Sequence, residues 1–468
     1  MAKNNLFSNN FSDDFPYLCP DVFDYSPPTM TKIPSFLRRC VGALACVLAA
    51  LPLAAEDAFS RWFEPRTLRV DLTFAGDSAR QAIYLDELSC QPGWAGRRVR
   101  LDSLYLAGNG RILLRDEATG HVIYRHSFST LFQEWQATEE ATQRARSFEN
   151  VFLLPFPKHP VRLEVELNNL HRDVTARYAC RVDPADILIR RTDTVCPPHR
   201  YLVRSGSSAD CIDVAIVAEG YTEAEADSFY SHARQAVDAL FAHEPFGHLR
   251  PRFNVVAVAL PSRESGVSLP ASGQWRTTAL GSHFDTFYSD RYLTTLRLKR
   301  LHDALGALPY EHIIILANTD EYGGGGIFNS YTLAAARDKW FLPVVVHEFG
   351  HSFGGLADEY AYDDGYVAYY TPDVEPWERN ITTLARFDTK WKDLLKKGEA
   401  VPTPPESVAE GDTQTVGLFE GAGYQSKGVF RACRDCRMRV NTVSEFCPVC
   451  QRSLEGLIRF YTDPEPAR

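Results

Sequence analysis

Several things are scarce in this 468-residue chain, and each scarcity removes a class of protein. Basic residues are outnumbered: 50 Lys and Arg stand against 60 Asp and Glu, a formal charge of −10. A non-specific nucleic-acid binder needs the opposite balance, because its cations replace those condensed around phosphates. No glycine-rich phosphate cradle follows any expected strand, so a nucleotide fold lacks its defining loop. The Gly323–Gly326 tract is not such a cradle, since no Lys-Ser/Thr follows it. No apolar run reaches the ~20 residues of a membrane-spanning helix. What is present is ordinary for a globular protein: 45% hydrophobic, 24% charged and 12% aromatic residues exclude collagen-like and disordered chains.

The longest apolar run, residues 40–55, reads CVGALACVLAALPLAA and follows Lys32, Arg38 and Arg39. Positive flank, apolar stretch and small residues Ala54 and Ala55 have the order of a secretory leader cut before Glu56. The acidic residues 1–29 do not suit a leader, and a start at Met30 gives an ordinary one. Export to the periplasm, the cell surface or the medium is therefore expected. Cys19, Cys40 and Cys46 precede the cut, which leaves eight of the 11 cysteines in the mature chain, an even number that suits an oxidising compartment.

Residues 56–192 alternate apolar and polar positions in short runs such as TLRVDLTF, QAIYLDELSC and PVRLEVELNNL, the signature of a β-sandwich. One helical interruption, Glu134 to Ser147, reads as polar and exposed. From 193 to 468 the order becomes strand, helix, strand, helix, strand, a mixed α/β layer. Thr222 and Glu225 have capping-box spacing ahead of an amphipathic helix, and a second helix is expected from Tyr292 to Leu305. The fold class is α+β: a sandwich, then a domain with a mixed sheet.

Chemistry concentrates at His347-Glu348-Phe349-Gly350-His351. Two histidines four apart on a helix lie about 40° apart around its axis and roughly 6 Å along it, so both imidazoles can reach one ion. Neutral imidazole suits Zn²⁺, and Glu348 can accept a proton from a water held there. The apolar run 341–346 buries this helix, where ionisable groups need an ion or partners. A catalytic zinc commonly takes a third protein ligand. The place a third histidine would take in HExxHxxGxxH is Ala357, so Asp358 is expected to complete the set, with Glu359 as the alternative. Gly354-Gly355 can turn the chain back toward the ion. Asp363 and Asp364 are further candidates. A serine or cysteine nucleophile is not expected.

The strings HEFGHSFGGLADEY, AEGYTEAE, SGVSLP, YGGGG, VGLFEGAGY and FCPVC together resemble the M64 family of metallopeptidases, over roughly 195–460. Phe430-Arg431-Ala432 departs from a Tyr-Arg-Pro pattern. The resemblance implies one catalytic zinc in a zincin-type domain, His347 and His351 as ligands and Glu348 as the base. It also makes Met438 similar to the methionine turn under such a zinc. The substrate would be a protein or peptide, held by a sheet edge for which Tyr322 to Ser330 is the candidate, its glycines admitting a close peptide. Cys433, Cys436, Cys447 and Cys450 have CxxC spacing, and disulfides, a structural zinc and free thiols all remain open. The expected function is that of an exported zinc endopeptidase. The rival is a non-catalytic surface protein that binds glycan or protein around a structural zinc.

Overall fold

The computed structural model describes residues 57–192, 195–362 and 368–465. The expected leader, Asp363 and Asp364 lie outside them. Glu56–Arg468 form one compact unit, a mixed α+β fold with several sheets and few helices.

A short helix, α1 (Ala58–Trp62), precedes β1 (Phe63–Gly76) and β2 (Gln81–Pro92). Next come β3 (Gly110–Asp116), β4 (Val122–Phe128), helices α2 (Leu131–Gln136) and α3 (Glu139–Gln143), and strands β5 (Arg146–Pro157), β6 (Val161–Asn168), β7 (Val174–Val182) and β8 (Arg190–Arg191). They pair as two four-stranded sheets, in the orders β5-β1-β2-β8 and β4-β3-β6-β7. Alternation decides what each strand buries: Leu68, Val70, Leu72 and Phe74 of β1 meet Ile112 and Leu114 of β3 and Leu163 and Val165 of β6 in one apolar core.

The segment from Glu134 to Ser147 is partly helical and exposed in its second half, at Glu139, Thr142 to Ala145 and Ser147, but it is anchored inward at its start and at Ala141. Leu131, Phe132 and Trp135 of α2 and Ala141 of α3 are buried, and Arg146-Ser147 already belongs to β5. The apolar residues that anchor this stretch begin three positions before Glu134, and Phe132 and Trp135 both pack against Phe148.

The following strands are β9 (His199–Arg204), β10 (Ile212–Glu219), β11 (Phe253–Val258), β12 (His312–Ala317), β13 (Gly324–Ile327) and β14 (Tyr331–Ala335), interleaved with helices α4 (Ala226–Phe241) and α5 (Leu298–Leu305). They form one six-stranded sheet ordered β13-β14-β12-β10-β11-β9. Its centre is parallel, and β13 and β9 run antiparallel at the edges. Every residue of β10, β11, β12 and β14 is buried, as expected for parallel strands covered on both faces. Ala215, Val217, Val256, Val258, Ile313 and Ile315 share the core of the preceding sheets. Val214, Ile216, Val255, Ile314 and Leu316 point the other way, toward α4, helix α6 (Phe341–Ser352) and the C-terminal helix. A small sheet of β15 (Ile381–Thr382), β16 (Phe419–Ala422) and β17 (Gln425–Arg431), then α7 (Pro448–Thr462), complete the fold.

The Thr222–Glu225 capping box is present. The helix expected from Tyr292 begins only at Leu298, because Tyr292 bridges Gly324 and Thr294 pairs with His283, committing that stretch to extended backbone.

Two core histidines carry a pH consequence. Burial lowers His302 and His312 to about 3, so both are neutral in the fold. An unfolded imidazole titrates near 6.5. Because the folded value lies below the unfolded one, their neutral burial costs nothing above pH ~6.5, and stability falls as the pH drops from there toward 3. Thermal unfolding of the metal-free chain is expected to lose roughly 1.4 kcal/mol per pH unit for each histidine in that window. A His302→Gln/His312→Gln variant should make the slope shallower, with His126, also lowered to about 3 by burial, keeping its share, and an unchanged slope would disprove the assignment.

Candidate metal centre

Helix α6 carries His347, Glu348 and His351 and packs against β13 and β14. Pro343 sits in its first turn, where a missing N–H costs nothing. After Ser352 the chain reverses at Gly355, whose φ is +56°; its N–H donates to the His351 carbonyl at 2.9 Å. A Cβ on Gly355 would lie 2.7 Å from Trp377 and 2.8 Å from Leu106, so both conformation and space require glycine.

This turn brings Asp358 back to the helix. Its Oδ1 lies 3.0 Å from His347 Nε2 and 3.2 Å from His351 Nε2, and the two nitrogens are 3.0 Å apart. The other ring nitrogens are committed: His347 Nδ1 donates to the Arg437 carbonyl at 2.9 Å, and His351 Nδ1 to that of Leu356 at 2.6 Å. Both Nε2 atoms are thereby aimed at one point beside a carboxylate. This is the donor chemistry a divalent ion such as zinc requires, with the second partner of each imidazole in place.

Asp358 is 5% exposed. Its Oδ2 accepts the Tyr424 hydroxyl. Burial disfavours its charge, but the two imidazoles more than offset this and hold the carboxyl well below its usual range. Burial likewise opposes a charged His351, and Asp358 with Glu348 overcomes it, lifting the imidazole to about 10. Metal uptake must therefore expel a proton from the cluster. Glu348, one residue round the helix, is raised by burial, against the pull of both histidines.

Glu359 faces elsewhere. Its carboxylate groups with Cys436, Cys447 and Cys450, while His347, His351 and Asp358 form the other cluster of potential ligands among the described residues. The eight cysteines described are free thiols, with no disulfide among them, which leaves structural zinc and free thiols of the three readings for Cys433, Cys436, Cys447 and Cys450.

Several participants were invisible in the sequence. Asn380 is buried with its amide locked to Ala357 and to Glu359 Oε1 at 2.9 Å, which fixes the Asp358-Glu359 dipeptide. The hydroxyl of Tyr292 donates to Glu134, which is lifted to about 7 by burial, with Asp358 and Glu348 adding to the rise. The first β-rich segment thus contributes a carboxylate beside the cluster, although its sequence holds no catalytic pattern. Met438 is fully buried under α6, its Sδ 2.6 Å from where a Cβ on Gly350 would stand.

The glycines of β13 are not spare room for a peptide. A Cβ on Gly324 would meet Glu348 Oε1 at 2.9 Å, one on Gly326 the Glu348 carbonyl at 2.3 Å, and one on Gly325 the Tyr292 ring at 2.8 Å. They let the strand lie flat against the helix that carries His347 and His351. The string Gly350-His351-Ser352-Phe353-Gly354 has the spacing of a serine nucleophile elbow. Ser352 lies within a helix rather than on a strand-to-helix turn, buried and hydrogen-bonded to Thr332 Oγ1 at 2.5 Å.

Convergent imidazoles, a buried carboxylate and a second carboxylate on the same helix define a candidate metalloprotein on a mixed α+β scaffold. The chain belongs to the IgA Peptidase M64 family: that family's model matches residues 201–411 and 408–458, and the model of the Peptidase M64 N-terminus matches 58–179. Membership makes it a peptidase of metallopeptidase type that acts on protein or peptide substrates. No curated protein matches the chain. No described helix is long and apolar enough to cross a membrane.

Proposed function

We propose that the chain is an exported zinc endopeptidase, with an N-terminal β-sandwich over residues 56–192 and a zincin catalytic domain over 193–468. The observation that carries this is the convergence of His347 Nε2, His351 Nε2 and Asp358 Oδ1, with Glu348 on the same helix, in a chain of this family. Bound zinc would polarise the scissile carbonyl and acidify the attacking water.

The remaining work falls to the chain. The Arg437 and Leu356 carbonyls hold the two rings in one tautomer. Tyr424 orients Asp358. Glu348 takes the proton from the attacking water and returns it to the leaving amine, a role suited by a carboxyl whose burial raises its proton affinity. Strand β13 beyond Gly324, whose own edge groups already pair with Arg291 and Leu293, is the proposed rail for the substrate backbone. Residues 30–55 are proposed as the leader, which places the mature protein in the periplasm, at the cell surface or in the medium.

The zinc-loaded protein should cleave members of a mixed peptide library, lose that activity to a chelator and regain it on adding zinc. Cleavage products are read by mass spectrometry. A fully loaded protein that cuts nothing would make this a binding protein instead.

A further inference from the structure

The clustered thiols of the C-terminal segment play no part in the proposed hydrolysis, yet three of them close around one buried carboxylate. Cys436, Cys447 and Cys450 are each fully buried, and so is Glu359. One ligand atom from each lies within 4.8 Å of all the others. Cys436 Sγ and Cys450 Sγ are 3.8 Å apart, and Cys450 Sγ is 3.2 Å from Glu359 Oε1. Sulfurs held about 2.3 Å from a tetrahedral ion stand roughly 3.8 Å from one another, and a sulfur–oxygen edge is a few tenths of an ångström shorter. A disulfide would need the sulfurs at about 2.05 Å.

Three further observations point the same way. Glu359 Oε2 is buried with no hydrogen-bond partner, an expensive state for a carboxylate unless something else satisfies it. The backbone N–H of Cys447 donates to Cys436 Sγ at 3.2 Å, the kind of bond that steadies a sulfur carrying negative charge. The guanidinium groups of Arg431 and Arg437, both buried, act electrostatically on Glu359 and Cys436. Three thiolates and a carboxylate around a divalent ion leave net negative charge, which two buried cations offset.

We infer that Cys436, Cys447, Cys450 and Glu359 form a second metal site, a closed structural one for a borderline-soft divalent cation such as zinc. Each ligating thiol releases its proton to solvent as the metal–sulfur bond forms. Cys433 stands outside the four, in contact with Cys447. The CxxC pairs therefore do not form the four-cysteine ribbon their spacing suggests, because Glu359 takes one corner. The site's purpose follows from its neighbours. Glu359 N–H donates to the Met438 carbonyl at 2.8 Å, and the Arg437 carbonyl between Cys436 and Met438 receives His347 Nδ1. Two consecutive acids, Asp358 and Glu359, thus tie two ions to one short piece of backbone.

This inference stands apart from the catalytic reading and is tested without activity. Full-chain protein, prepared with and without reductant, is analysed for zinc and then exchanged with Co²⁺. Two equivalents of zinc are expected. A thiolate-to-cobalt charge-transfer band should appear, persist in His347→Ala/His351→Ala, which keeps one equivalent, and vanish in Cys436→Ser/Cys450→Ser. Should that last variant fail to fold, the band in the wild-type and histidine variants decides alone. Absence of the band, with an intact mass showing paired cysteines or with thiols that all react with a disulfide reagent, would overturn the site.

Discussion

Glu348→Gln is expected to lower peptide hydrolysis by about 10²–10⁴-fold, the range a positioned general base supplies. Zinc content and the unfolding midpoint should be nearly unchanged. The amide keeps the shape of the carboxylate against Gly324, where a Cβ would already crowd it at 2.9 Å, but it cannot take a proton from water. The loss should fall on kcat more than on KM, because the base acts only as charge develops. Full activity in this variant would remove Glu348 from the mechanism and with it the reading of the helix.

Asp358→Asn is expected to weaken zinc binding at the histidine site by more than about 100-fold, since even a partner one shell further out is worth 10–100-fold. Asn preserves volume but removes the charge that holds both imidazoles, and it leaves the Tyr424 hydroxyl facing an amide. Competition with a chromophoric chelator measures the affinity. One equivalent of zinc should leave easily while the thiolate-bound one stays. Unchanged affinity would transfer the third ligand to another residue.

What could be read from the sequence and what could not divides by range and by atom type. His347, Glu348 and His351 are legible because helical geometry alone puts them together. So is the Thr222–Glu225 capping box, whose members are three apart, and so is the reversal at Gly355. Asp358 follows once that turn is assumed. Tyr424 reaches Asp358 across 66 residues, Tyr292 reaches Glu134 across 158, and the Arg437 carbonyl reaches His347 across 90. No local period announces such pairs, and a carbonyl has no side-chain signature at all. The motifs AEGYTEAE and SGVSLP lie some 40 residues apart, and neither shows locally what it serves. In the fold they meet: Gly266 N–H bonds the Gly220 carbonyl, and Ser265 donates to Glu225. In the sequence Glu359 is interchangeable with Asp358, because both are carboxylates one residue apart. Successive side chains diverge, so the two serve different clusters.

The flat contact between β13 and α6 also limits how the enzyme could change its preferences. Any side chain at Gly324 or Gly326 would be built into Glu348 or the backbone of its helix, not into a cleft. Under the proposed function, the strand face beside Glu348 is closed to evolutionary adjustment, and selectivity must be written in segments other than these glycines.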